Sequence, residues 1–171
     1  MRFFLIGILL SFLLFGCDKG LEPLDEDTLI GTGFTGTITF NGEWPDSVFR
    51  TVVVLFKDNL NSPLDFNIVN LRYISEEIPY GVNSYEYSSL QNFTVANVTA
   101  GEYAYLAVAQ SKTEELSLDR KDWYVVGLYA ADESQQNPAI LKINNNEVKQ
   151  NVNIVCDFNN PPIQPPGGIS D

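Results

Sequence analysis

GTITFNGEWPDSVFRTVVVLF, residues 36–56, decides the fold class. Its first part sets Gly36, Ile38 and Phe40 against Thr37 and Thr39, a period-two alternation that predicts a half-buried strand. Asn41-Gly42 followed by Glu43-Trp44-Pro45-Asp46 reads as a turn and a loop, with Trp44 placed to cap the open end of a core. Arg50 to Lys57, RTVVVLFK, is then unbroken apolar sequence between charged ends, which predicts a central strand touched on both faces.

The pattern continues to residue 158. Ser84–Leu90 alternates Tyr85 and Tyr87 against Glu86 and Ser88, as an edge strand with an outward charge does. Residues 91–98 and 102–110 read as a hairpin turning at Gly101, and the alternate alanines of EYAYLAVAQ predict close approach of a second sheet rather than a pocket. Trp123–Tyr129 is a further strand, in which Gly127 marks a bulge or a tightly packed neighbour. Ala139–Ile143 and Val148–Phe158 finish the set, with Cys156 among the inward residues as a small hydrophobe. Residues 64–83 are irregular and read as one strand plus an excursion over the sheet edge. The sum is an all-β protein: one antiparallel β-sandwich of about seven to eight strands over residues 31–158. Residues 159–171, NNPPIQPPGGISD, form an exposed Pro/Gly-rich tail.

One resemblance rests on these residues. Gly36, Ile38 and Phe40, the Gly42-x-Trp44-Pro45 loop, the Val52–Phe56 strand and the turn at Gly101 with Tyr103 resemble the transthyretin-like, carboxypeptidase-regulatory type of β-sandwich. The resemblance implies a Greek-key antiparallel sandwich over about residues 34–158. Modules of that type serve as spacers, stabilisers or binding units, so it implies no single function. The collagen-adhesin B-type repeats share the general form, but the strand at 37–40 lacks the lysine that their isopeptide bonds need.

Upstream, Met1-Arg2 precedes an apolar run, Phe3–Phe15, too short for a permanent membrane span and read as a signal segment over residues 1–16. Leu14-Phe15-Gly16-Cys17 resembles the bacterial lipobox, with Phe15 bulkier than the residue usual there. The resemblance implies that Cys17 becomes the first mature residue and carries a diacylglyceryl thioether. Two or three acyl chains, at about 0.8 kcal/mol per buried CH₂, hold such a protein on a bacterial membrane. Residues 17–30, with five acids between Asp18 and Thr28, then form a flexible acidic tether. The expected address is the cell envelope, on the outer membrane, facing the periplasm or the outside.

Composition narrows the chemistry. Twenty-two Asp and Glu against ten Lys and Arg give a formal charge of −12, which repels nucleic acid and sets it aside as a partner. There is no histidine, and Cys156 is the one thiol left if Cys17 is acylated, so the usual proton shuttle, zinc cluster and disulfide framework are out of reach. No activated serine turn or phosphate-cradling glycine loop occurs. No cofactor is expected. Asp119 and Asp122, in the densest acidic stretch, are weak candidates for Ca²⁺, with a solvated face as the plainer reading. Trp44, Trp123, Tyr124, Tyr129, Tyr85 and Tyr87 are the candidates for stacking on sugar rings, or else part of the core and its wet boundary. The functional expectation is therefore a non-catalytic, lipid-anchored module that binds or assembles with a protein or a polysaccharide. A purely structural envelope subunit and a carboxylate-dependent glycan hydrolase stay open as alternatives.

Overall fold

The computed structural model describes residues 31–132 and 134–168. Cys17, the leader and the acidic tether lie outside the described residues. The described chain is all-β, with eleven strands: β1 (Gly33–Asn41), β2 (Arg50–Phe56), β3 (Leu71–Ser75), β4 (Ser84–Ser88), β5 (Phe93–Ala96), β6 (Gly101–Tyr103), β7 (Tyr105–Ser111), β8 (Trp123–Leu128), β9 (Leu141–Ile143), β10 (Val148–Lys149) and β11 (Ile154–Asp157).

The sandwich expectation fails. The main sheet runs β4, β1, β10 with β11, β8, β7, β2, β3, β5, and it curls through 268° into a nearly closed eight-stranded barrel of mixed strands. A Greek-key, transthyretin-like sandwich would keep its neighbours antiparallel and its sheets separate. Here the last strands return alongside the first in parallel, pairing Gly33 with Val148 and Ile38 with Ile154. Chain connectivity then forces closure. The sheet's two edges, β4 and β5, are joined by only residues 89–92, so Ser88 and Phe93 lie within roughly 18 Å of each other. The remaining seam is bridged by Tyr73 of β3, whose hydroxyl donates to Ser88 O of β4 at 3.1 Å. Phe34 meets both Tyr73 and Tyr87 edge-on, at 5.3 and 5.9 Å.

β2 and β7 form the spine, in register from Arg50–Ser111 to Phe56–Tyr105. Their predicted two-sided burial is real. Val53, Leu55, Leu106 and Val108 join the barrel interior, while Val52, Val54, Ala107 and Ala109 belong to a second apolar cluster on the outer face. The hairpin expected over 91–110 does not form: β5 pairs with β3, and the chain changes partners at Ala104, whose amide bonds Lys57 O at 3.0 Å. β6 instead pairs with β9, and this two-stranded ribbon adds Tyr103, Leu141 and Ile143 to the interior.

Two glycines permit close approach. A Cβ on Gly36 would stand 1.9 Å from Val152 O, and one on Gly127 would stand 2.5 Å from Cys156 Sγ. β11 meets β8 only at Cys156–Gly127, so Val125 lacks a strand partner on that side. The tail fills the gap: the Gln164 amide accepts from Val125 N and donates to Val125 O, both at 2.8 Å. Pro162 and Pro165 are buried on either side of the half-buried Gln164 while Ile163 points outward, so this part of the tail is docked at three residues rather than free.

Candidate functional site

The outer apolar cluster is incompletely roofed. Two loops flank it, residues 57–70 before β3 and 112–122 before β8, and between them lies a groove of about 210 Å³. Val52, Val54, Ile74, Ala109 and Trp123 line its floor and sides from the barrel strands. Ala109 is one of the small residues expected to bring sheets together; it instead leaves room outside the barrel. β2 runs along the groove for about 20 Å at the usual strand rise.

Each loop is built to hold its shape. In the first, Asp65 accepts from the amides of Asn61 and Ser62 at 2.9 and 2.8 Å, closing a capping box around a 3-10 turn at Pro63–Asp65. Buried Asn70 ties the loop's base to Asp58 and Asp65. In the second, Trp123 Nε1 donates to Ser117 O at 2.9 Å and Ser117 Oγ to Asp122 Oδ2 at 2.5 Å. The guanidinium of Arg120, also buried, clamps Trp123 O at 2.5 Å and Pro165 O at 3.0 Å, so the docked tail braces this loop. Burial lowers the Arg120 pKa.

These braces present apolar residues to solvent. Ile68 on one lip and Leu116 and Leu118 on the other are 60, 70 and 63% exposed, although all three line the groove. At one end Arg50 pairs with Glu77 at 2.9 Å and donates to Glu114 O at 3.2 Å, while its Nη1 is buried without a partner. A preformed apolar concavity with few polar groups is what a binding site requires.

The predicted aromatic residues do not assemble into one platform. Trp123 alone is in the groove wall. Trp44, Tyr85, Tyr87, Tyr124 and Tyr129 all pack on the barrel interior, Trp44 against Phe40, Phe158 and Tyr80 at 4.6–5.2 Å. Tyr85 and Tyr87 also edge a polar depression of about 510 Å³ beside β1 and β4. There Tyr87 Oη is committed to Val152 O at 2.5 Å and Asn153 to Thr37 N at 2.9 Å. Burial raises the pKa of both tyrosines. Asp122 is engaged by Ser117 and Asp119 by Lys121, and no cluster of three potential metal ligands occurs among the described residues.

The groove residues other than Trp123 were missed because nothing in one strand marks them. The available signal was Ile68, Leu116 and Leu118, apolar side chains inside otherwise polar loops. Comparison of the chain with protein-family models, characterised proteins and solved structures finds no match. The site must therefore be read from its own chemistry.

Proposed function

We propose that this protein is a non-catalytic docking module, lipid-anchored through Cys17 on the outer membrane of a bacterial envelope, whose barrel holds a partner protein in the outer groove. The carrying observation is the exposure of Ile68, Leu116 and Leu118 above a braced apolar floor. Leaving these side chains in water forfeits the 1.5–3 kcal/mol that burying each of them typically contributes, and a docked partner recovers it. A polysaccharide finds less here. Its rings stack on exposed aromatic faces, and the candidate aromatics are buried or half-buried against the two cores without sharing one surface. The anchoring half rests on the apolar leader and the lipobox-like Leu14-Phe15-Gly16-Cys17.

The two halves are tested separately. Cys17→Ser should shift the chain out of the membrane fraction and remove diacylglyceryl mass from its N-terminal peptide; an unmodified Cys17 in the native protein ends the anchoring half. Crosslinking in intact cells should give a partner adduct that L116D/L118D abolishes. An adduct indifferent to that double variant ends the docking half.

A further inference from the structure

We infer that residues 164–168 are a releasable latch that sets the spacing of the groove's two lips. This rests on the docking reading above and adds its regulation. The latch begins in the sequence. Pro165-Pro166-Gly167-Gly168 is turn sequence, and Gly167 sits at φ +80°, which the third place of a type II turn requires and which glycine adopts without a Cβ penalty. The turn sets its two glycines against different loops. A Cβ on Gly167 would stand 2.8 Å from the ring of Pro63, and one on Gly168 would stand 2.9 Å from Arg120 Nη2. Pro63 opens the 3-10 turn just before Phe66, and Arg120 closely follows Leu118, so the tail touches both loops near residues that line the groove. The capping box and the Ser117 bonds act within single loops, whereas the tail reaches both.

The forces on the latch oppose one another. Holding it down are the paired hydrogen bonds between Gln164 and Val125 and the burial of Pro162 and Pro165. Against them stands Arg120. Its guanidinium is buried, takes part in no salt bridge among the described residues and leaves Nε without a partner. A cation held in the interior by carbonyl oxygens has given up most of its hydration, and lifting Pro165 away returns water to it. Tyr105 Oη, close enough to feel that charge, is likewise buried and unpartnered. The tail is thus among the parts of the fold that open first, while β2 and β7 are covered on both faces.

Thermodynamic linkage then joins tail to groove. A partner that fits the lips at their present spacing binds the latched form better than the released one. It therefore holds the tail down, and whatever lifts the tail weakens the partner by the same factor.

Hydrogen–deuterium exchange on the full chain reads the latch. Gln164→Ala removes the clamp on Val125, and Gly167→Ala drives a methyl against Pro63 from a strained backbone; neither residue lines the groove. Each substitution should speed exchange at least about fivefold at the Asn61 and Ser62 amides of one loop and the Lys112 and Asp122 amides of the other. Unchanged exchange in β2 and β7 confirms that the fold is kept. The partner adduct in intact cells should fall about threefold or more with either substitution. Full protection of both loops in both variants leaves the tail as a cover for the β8 edge and overturns the latch. An adduct that L116D/L118D abolishes but neither tail substitution weakens overturns the regulation and leaves docking intact. Loops that loosen in a chain giving no adduct sensitive to L116D/L118D overturn the docking reading instead.

Discussion

Replacing Trp123 with alanine separates a groove wall from a surface platform. Trp123 is 8% exposed, its indole N–H is spent on Ser117 O, and its own carbonyl anchors Arg120. A tryptophan this buried removes roughly 230 Å² from water, which at about 25 cal/mol per Å² gives an upper bound near 6 kcal/mol. Correcting for a compact unfolded chain and for the area an alanine still buries brings this to about 3–5 kcal/mol, the usual range for such truncations. At about 3 °C per kcal/mol the melting temperature should fall by roughly 10–15 °C. Urea unfolding followed by far-ultraviolet circular dichroism measures this, with Trp123→Phe as the control. The phenylalanine keeps most of the packing and loses the Ser117 hydrogen bond, so it should cost about 1–2 kcal/mol. Trp44→Ala should cost less than Trp123→Ala, because Trp44 is only half-buried. If Trp123→Ala lowers stability by under 1 kcal/mol, Trp123 is not structural and the braced groove is wrong.

Three further outcomes are expected. Gly36→Ala places its methyl against the main chain at Val152, which cannot rotate away, so β1 must part from the returning chain; a loss of 3 kcal/mol or more in chemical unfolding is expected, and a neutral result contradicts the close approach of Val152 to β1. Cys156 is fully buried and its thiol pKa is raised by that burial, so an aromatic disulfide reagent should modify it only as fast as the protein unfolds; rapid modification of the native chain would remove it from the core. Burial also raises the phenol pKa of Tyr73, Tyr87 and Tyr105 above the ordinary 10.0. Their neutral forms favour the fold below about pH 10. Above it the unfolded chain releases protons that the folded chain retains, so stability should decline by up to about 1.4 kcal/mol per pH unit per tyrosine. Phenolate absorbance tracks this in an alkaline titration, and early ionisation of all eight tyrosines in the folded protein would contradict it.

The aromatic residues show how far one sequence can be read for function. Tyrosine and tryptophan are the right types for both a sugar platform and a core, and burial, which distinguishes the two, is a property of the neighbours. Leu116 and Leu118 were equally visible, yet a polar loop with two leucines becomes a lip only when another loop stands opposite. Ala109 needed the same information, since a small side chain means close packing under a second layer and a cavity under none.

Period-two alternation and β-forming residues made this chain all-β without any tertiary knowledge, and the run Arg50–Lys57 announced a strand covered on both faces. Alternation records only which side chains avoid water, and a barrel and a sandwich ask the same of each strand. Closure was decided by the return of Ile154–Asp157 beside Ile38–Asn41 and by the short link that draws β4 toward β5. The first joins residues more than a hundred positions apart and the second depends on where the two edges already lie, and local hydrophobic periodicity carries no trace of either.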